Sequence, residues 1–276
     1  MDTQVKRTKA EEGYVSQFEA GRDTLPGSGW VHQLRDDAFD RYRTNGLPHR
    51  RVEEYKYTDL RARMSEAYPP APALGEAITL DYVKAALGSR MADIDCHRLV
   101  IVDGSYRPEL SDVGDLSGKV AVMPLAEALS NPSNALQETL GKVNSQDQDT
   151  LVALNTALMG GGVMLSVTDK AKIGKPLHIV HVFASKSAAS ATTRNIVTLG
   201  AGATVDHIKY QREHPDTAHL ATWMTRLGAD VMYRAFQFST GAAFARNQVF
   251  VRFAGEGSTS HISGAVMATD KQHNDT

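Results

Sequence analysis

Histidines are the side chains of this sequence best suited to metal or proton chemistry, and there are ten of them. His178 and His181 lie three residues apart in a predicted strand, so they face opposite sides and cannot share a metal ion. His207 and His261 occupy equivalent positions in two similar segments. This predicts that they stack on neighbouring strands, either as a metal-binding ladder or, by preference, as a hydrogen-bonded pair. Residue type makes two further groups candidate iron ligands. His214 and His219 flank a predicted loop, and His273 lies near Asp275.

The single cysteine, Cys96, limits the remaining chemistry. A four-cysteine zinc or iron–sulfur site is beyond this chain alone, and the position of Cys96 before an apolar strand favours a small buried residue over a reactive thiol. The sequence has neither the Gly-x-Ser-x-Gly motif nor a P-loop. Gly200-Ala201-Gly202 lies between two predicted strands, so it is interpreted as a turn and not as a nucleotide-binding loop. We therefore assign no catalytic, cofactor-binding or metal-binding residue.

Charge and hydropathy exclude several classes of partner. Lys and Arg number 30 against 32 Asp and Glu, a net charge of −2, which gives no electrostatic basis for binding nucleic acid or an anionic membrane. Residues 1–12 lack the apolar segment of a secretory signal, and no stretch has the roughly 20 apolar residues that span a bilayer. A single cysteine excludes an intramolecular disulfide and is typical of the reducing cytoplasm, where we expect the protein.

The elements that must position the histidines are strands. From Gly161 to Ala268, short alternating apolar segments are separated by Gly, Ala, Ser and Asn, and no helical periodicity interrupts them, which disfavours a βαβ sheet. Residues 197–208 align without gaps with residues 251–262, and such recurring units are typical of a β-solenoid. A β-sandwich is the alternative. The predicted strands are Gly162–Val167, Leu177–Phe183, Arg194–Leu199, Thr204–Tyr210, Val231–Phe238, Gln248–Phe253 and Thr259–Met267.

The region before residue 161 shows mainly helical periodicity. Gly46 and Gly88 are placed to end its first two helices. The predicted helices are 32–42, 81–87, 123–129, 135–140 and 151–158, with a Pro-rich linker at 69–72 and a buried strand at 99–102.

The fold class is therefore mainly β, with a right-handed β-helix (β-solenoid) core and an N-terminal α-helical region. We expect an N-terminal helical region with a Pro-rich linker over residues 1–92, a mixed α/β lead-in over 93–160, and the β-helix core over 161–276.

Residues 47–61 mix paired basic residues, paired acids and two tyrosines. From Arg50 to Arg61, four basic residues oppose three acidic ones, and this net charge of +1 is too small for phosphate binding. Residue types alone predict that the aromatic side chains pack while the charges pair locally. The run Gly-Leu-Pro-x-Arg-Arg-x-Glu-Glu-Tyr-Lys-Tyr-Thr-Asp-Leu-Arg resembles the signature of the SufD branch of the SufB/SufD family, part of the SUF iron–sulfur cluster assembly machinery. Residues 174–180, 206–213, 245–257 and 272–275 are similar to later strands of that family.

This resemblance covers about residues 38–276 and implies a non-catalytic scaffold subunit. Such a subunit would pair with a SufB-like subunit through the β-helix and with a SufC-like ATPase through a C-terminal helical region, and would aid iron acquisition. A homodimer through the β-helix is a further expectation. No cofactor is expected to be bound stably by this chain alone, and iron or an iron–sulfur cluster would be handled transiently in the full complex.

The resemblance also implies that the sequence is the front two-thirds of such a protein, truncated at the C-terminal end of the β-helix. The Cys and His that the family places at its subunit interface would then lie beyond Thr276.

Two enzyme classes remain as alternatives to a scaffold. A β-helix carbohydrate-active enzyme needs clustered carboxylates, yet acids are sparse between residues 161 and 268. A left-handed β-helix acyltransferase needs tight hexapeptide repeats, and the spacing here is longer and irregular.

Overall fold

The computed structural model describes residues 6–72, 78–114, 116–140, 149–185 and 187–276, and strands dominate these residues. The helices of this part are α1 (Lys9–Gly21), α2 (Trp30–Asn45), α3 (Leu60–Arg63), α4 (Leu80–Ala92), α5 (Leu125–Ser130), α6 (Asn134–Leu140) and α7 (Thr150–Leu158). The strands are β1 (His97–Val102), β2 (Ser105–Tyr106), β3 (Val120–Pro124), β4 (Val163–Val167), β5 (Leu177–Val182), β6 (Ala189–Leu199), β7 (Thr204–Arg212), β8 (Thr217–Leu227), β9 (Met232–Thr240), β10 (Phe244–Phe253), β11 (Thr259–Met267) and β12 (His273–Asp275).

The strands form two six-stranded sheets. Sheet I has the order β2-β1-β5-β7-β9-β11, and sheet II has the order β3-β4-β6-β8-β10-β12. From β4 onward the chain alternates between the sheets, and neighbours within each sheet are parallel. Each successive pair of strands is thus one coil of a β-solenoid of about four turns. The predicted mainly β solenoid with N-terminal helices is confirmed.

The length of each turn decides which side chains of the next strand face inward. Turn 200–203 has four residues, whereas turn 254–258 has five, so β11 enters its ladder one residue later than an ungapped alignment implies. His261 therefore pairs with Arg234 on the outer face, while His207 points into the solenoid. The predicted stacking of His207 on His261 is wrong, because an offset of one residue reverses the face of every side chain in a strand.

Helices cover part of the outer face of each sheet. The outward Leu220 and Phe244 of sheet II pack against α1, α2 and α7, and the outward Met164, Ile196 and Met224 pack against α5 and α6. On sheet I, α4 packs against apolar residues of β1, β5 and β7. The central strands β6 and β8 of sheet II are therefore buried on both faces and lack the alternation of a half-exposed sheet.

Local sequence signals explain where the helices begin and end. Thr8 and Glu11 form a reciprocal capping box at the start of α1, a helix that the sequence analysis missed. Gly46, with φ of +69°, ends α2 as predicted. Gly88, with a non-helical φ of +72°, ends the first helical segment of α4 as predicted, and a second short segment continues to Ala92. No helix in the described ranges is both long and apolar enough to cross a membrane.

Two buried arginines tie α7 to its neighbours. Arg35 of α2 donates to the carbonyl oxygens of Ala157 at 2.8 Å and Met159 at 2.6 Å, just where α7 ends. Arg194 of β6 donates to Asn155 Oδ1 at 2.8 Å and to Thr156 Oγ1 at 2.7 Å. Both cations lie near the negative end of the helix dipole, which favours them there.

Candidate functional site

The interior of the solenoid, which we call the lumen, has an apolar half and a polar half. Beside the turns at 200–203 and 228–231 it is filled by apolar side chains of both sheets, such as Leu199 and Val205. Toward the opposite turns, at 213–216 and 241–243, inward positions carry polar groups, and we call this half the polar chamber. Its side chains, each belonging to a residue at most 7% exposed, are His181, Thr193, Lys209, Gln211, Glu213, His219, Gln237, Ser239 and Asn247.

Lys209 is completely buried in the polar chamber. It occupies an inward position of β7, and its ammonium donates to Gln211 Oε1 at 2.5 Å and to Ser239 Oγ at 3.4 Å. Burial lowers the pKa of Lys209 to about 7, although the nearby Glu213 favours the charged form. Buried ammonium groups ordinarily have a carboxylate partner, whereas the hydrogen-bond acceptors of Lys209 are neutral oxygens.

The carboxylate of the polar chamber is bound to a histidine. Glu213 Oε1 is hydrogen-bonded to Nδ1 of His219, and Nε2 of His219 lies 2.7 Å from Thr193 Oγ1. The other carboxylate oxygen, Oε2, has no hydrogen-bond partner among the described residues. The side chain of His219 is thereby fixed at both ring nitrogens.

The position of His219 corrects the sequence analysis, which placed it in a loop with His214. His219 lies in β8, a strand that the sequence analysis missed, and points into the lumen. His214 remains in the turn, about half exposed, with Nδ1 3.5 Å from Asp216 Oδ2. The two histidines therefore do not form one site.

His181 faces the same cluster from sheet I. The centroid of its ring lies 5.3 Å from that of His219 and 6.1 Å from that of Trp223. Burial lowers the pKa of His181 well below its usual value, and His219, Lys209 and His207 lower it further, so the ring is neutral at pH 7. Neither ring nitrogen has a hydrogen-bond partner in the described part of the chain, which leaves one donor and one acceptor unused.

His207 and Trp223 mark the boundary between the two halves of the lumen. Their ring centroids lie 4.8 Å apart, and His207 Nδ1 lies 2.8 Å from the hydroxyl of Tyr233. Burial, with a contribution from Lys209, lowers the pKa of His207 to about 3. His207 is thus a neutral, packed imidazole.

His178 faces away from His181, as predicted. Its Nδ1 lies 3.7 Å from Sγ of Cys96, and the guanidinium of Arg98 lies 3.4 Å from the same sulfur atom. Burial raises the pKa of the half-buried Cys96 thiol despite Arg98. A raised pKa lowers the thiolate fraction, so this cysteine is not activated for nucleophilic chemistry.

The other side chains that were candidate metal ligands by residue type lie outside the polar chamber and do not form one site. His261 lies on the outer face of β11, and His273 stacks on Phe244 with ring centroids 5.7 Å apart. Asp275 pairs with Arg246. Among the residues that the structure describes, no three His, Cys, Asp or Glu side chains converge as metal ligands.

The segment 47–61 joins the helical region to the solenoid through Tyr55. The buried hydroxyl of Tyr55 donates to Asp149 Oδ1 at 2.9 Å, and Gln248 of β10 donates to Asp149 Oδ2 at 2.7 Å. The guanidinium of Arg246, also in β10, lies 4.7 Å from the centroid of the Tyr55 ring. Asp149 also caps α7, so one carboxylate links the segment, the helix and the sheet.

The rest of this segment is more exposed than predicted. Tyr57 is 90% exposed, so the predicted packing of both aromatic side chains holds for Tyr55 alone. Lys56 pairs locally with Glu53, as predicted, at 2.8 Å. Arg61 instead pairs with the distant Glu11 of α1 at 3.2 Å.

Comparison with known proteins decides the family. Residues 8–179 match the SufBD protein N-terminal region, and residues 162–276 match the SufBD core domain of SUF system FeS cluster assembly. The chain belongs to the SufBD family. An iron–sulfur cluster assembly SufBD family protein of Synechocystis sp. is 24% identical over 281 residues, covering 88% of this chain and 61% of the relative. The iron–sulfur cluster assembly protein SufD of Escherichia coli is 26% identical over 252 residues, covering 84% of this chain and 58% of SufD.

The contact of Tyr55 with β10 joins the two regions that the family models match. Tyr55 and Asp149 belong to the N-terminal region, whereas Arg246 and Gln248 belong to the SufBD core. The resemblance to the SufB/SufD family is confirmed, and its signature segment supplies a residue that fastens the two regions together. This SufBD chain spans about 60% of the length of the relatives described above.

Proposed function

We propose that this SufBD-family protein is a non-catalytic scaffold subunit of the SUF machinery in the cytoplasm, pairing with a SufB-like subunit and a SufC-like ATPase. The observation that carries the proposal is the match of both family regions along the chain. Burial of the polar chamber supports it, because side chains at most 7% exposed do not reach a macromolecular substrate.

Pairing with the SufB-like subunit uses the outer face of sheet I that α4 leaves uncovered. Met232 and Phe236 of β9 point outward there and are 47% and 39% exposed, and Met267 of β11 is 61% exposed. Between them Arg234 forms a two-point ion pair with Asp206, at 2.6 and 2.8 Å. Apolar side chains around a satisfied ion pair match the mixed composition of protein–protein interfaces.

The chain takes part in iron handling without a resident cofactor. Iron or a cluster is cargo of the full complex, and a role in iron acquisition follows from the assembly rather than from this chain alone. The support is chemical: one half-buried cysteine with a raised pKa, and imidazoles buried in the lumen at His181, His207 and His219.

In the part of the chain that the structure describes, no geometry favours the carbohydrate-active alternative. Asp206 forms an ion pair with Arg234, and Glu213 is buried and hydrogen-bonded to His219. A pair of carboxylates flanking a substrate cleft, which glycoside hydrolysis requires, is not formed by these two residues.

Co-expression with SufB-like and SufC-like proteins tests the proposal. We expect the tagged, full-length protein to capture both, and the purified complex to carry iron and sulfide. Phe236→Arg places a charge in the apolar surface and should lower capture of the SufB-like subunit at least tenfold. Tyr57→Arg makes the same kind of change at an exposed aromatic residue outside that surface and should leave capture unchanged.

Capture of neither partner by the full-length protein contradicts the scaffold function. Equal capture by the Phe236→Arg and Tyr57→Arg variants contradicts the assignment of the surface, and self-association that Phe236→Arg abolishes assigns it to a homodimer instead.

A further inference from the structure

An open cavity of about 550 Å³ lies between the start of α1 and the segment 47–61, and we call it the signature groove. Its described lining residues are Thr8, His49, Arg51, Asp59, Arg61 and Ala62. None of these six residues is fully buried, so the groove is accessible from the surface of the molecule. The contact of segment 47–61 with the SufBD core uses Tyr55, which is not among the lining residues, and leaves the groove open.

The signature groove presents hydrogen-bond donors that have no partner among the described residues. The guanidinium of Arg51 is exposed and pairs with no carboxylate there. His49 Nδ1 accepts from the backbone N–H of Arg51 at 3.1 Å, so the proton of the neutral ring is on Nε2 and is available to an acceptor. Arg61 donates through Nη2 to the carbonyl oxygen of Lys6 at 2.8 Å, which leaves its Nη1 for an occupant of the groove.

The carboxylates at the groove leave the charge of Arg51 without a direct partner. Glu11, which is 3% exposed, accepts from two backbone N–H groups and pairs with Arg61 at 3.2 Å. The charge of Arg61 is therefore balanced inside the protein. Asp59 uses Oδ1 to cap α3 and has a second oxygen that can accept a hydrogen bond from an occupant. The groove thus combines a cation and neutral donors with one acceptor.

A peptide segment with an acidic side chain matches this combination. Its carboxylate accepts from Arg51 and His49, in the way that arginine clusters recognise acidic motifs, and a backbone N–H of the same segment donates to Asp59. A small inorganic anion has no donor for Asp59 and is repelled by it. The neighbouring Tyr57 is 90% exposed, and exposed tyrosines and arginines are typical of surfaces that bind proteins.

We propose that the signature groove binds an acidic, extended peptide segment of a partner protein, with Arg51 and His49 holding its carboxylate. Segment 47–61 packs on the sheet II side of the solenoid, where the hydroxyl of Tyr55 accepts from Gln248 of β10. The groove is therefore separate from the outer face of sheet I. A partner bound in the groove does not compete with pairing through that face and does not depend on it.

Fluorescence anisotropy of a fluorescein-labelled hexaglutamate peptide, titrated with the full chain, tests the site. We expect saturable binding of one peptide per chain at low ionic strength, with an affinity that falls as salt is added. Labelled hexaglutamine has the same length without the carboxylates and should not bind. Free glutamate and inorganic phosphate, at the same concentration of charge, should not displace the peptide.

Neighbouring arginines provide a matched pair of variants. Arg51→Gln removes the guanidinium that lines the groove and should weaken hexaglutamate binding by at least about tenfold. Arg50→Gln makes the same change in net charge at an exposed residue that is not among the lining residues, and should weaken binding by no more than about twofold. Both side chains are exposed, so both variants should keep the unfolding midpoint of the wild type.

Four results would overturn the proposal. Absence of saturable hexaglutamate binding removes the peptide site, and equal binding of hexaglutamine removes the role of the carboxylate. Equal losses of affinity in folded Arg51→Gln and Arg50→Gln protein would show attraction to the overall charge of the segment in place of binding in the groove. Displacement of the peptide by free glutamate or phosphate would assign the groove to a small anion.

Discussion

Tyr55→Phe removes one hydroxyl from the contact between the N-terminal region and the SufBD core. The ring keeps its packing and its position under the Arg246 guanidinium. The variant loses the 2.9 Å hydrogen bond that the hydroxyl donates to Asp149 and the long one, at 3.4 Å, that it accepts from Gln248 Nε2. Hydrogen bonds to charged acceptors contribute about 1.5–3 kcal/mol. Asp149 keeps its bond from Gln248 and its cap on α7, so we expect a loss of about 2 kcal/mol.

Chemical denaturation with urea measures this loss as a change in the unfolding free energy at an unchanged slope. Tyr57→Phe is the matched control, because it makes the same substitution two residues away on a side chain that is 90% exposed. Its unfolding free energy should stay within about 0.5 kcal/mol of the wild type. The reasoning is refuted if the two variants are equally stable, since the hydroxyl of Tyr55 would then carry no more than an exposed one.

Three further predictions concern stability. Gly241→Ala should lower the unfolding free energy by at least about 3 kcal/mol, because φ is +81° and a Cβ atom would lie 2.1 Å from the carbonyl oxygen of Glu213. Gly174→Ala is the control: a Cβ atom there would have no neighbouring atom within 4 Å, so the same denaturation assay should show no change. Thr8→Ala should cost about 1 kcal/mol by removing the capping box of α1, and an unchanged midpoint would contradict this. Lys209→Met should be more stable than the wild type by an amount that shrinks from pH 7 to pH 10. Because the folded pKa of about 7 lies below the unfolded value of 10.5, the wild type gains about 1 kcal/mol per pH unit in this window, and a constant difference would refute the burial of the charge.

The solenoid could be predicted from sequence because its signals are local. Small residues in the turn at 200–203, and the short segments rich in apolar and β-branched residues on either side of such turns, predict one strand after another. β8 was missed because helices cover the outer face of sheet II, so both faces of the strand are buried and no alternation marks it. The start of α1 is marked in the sequence by Thr8 and Glu11, which have the spacing of a capping box.

The polar chamber could not be predicted because the hydropathy of β7 does not show which of its two faces points into the solenoid. In β7 one face carries Val205, His207, Lys209 and Gln211, and the other carries Asp206, Ile208 and Tyr210. Neither face is clearly apolar, so hydropathy does not say which one points inward. Only the paired strands and the facing sheet show that a lysine occupies an interior position, and this depends on contacts between residues far apart in the chain.

The turns 200–203 and 254–258 differ in length, and this difference affects how the coils of one solenoid, or the sequences of related proteins, are aligned. The additional residue at 254–258 is absorbed at a corner of the solenoid, and the stacked strands on either side remain in phase. Single-codon insertions at such corners can therefore accumulate during evolution without disturbing the interior. Equivalent residues in distant homologues are found by matching ladder partners, whereas counting along an ungapped sequence exchanges buried positions for exposed ones.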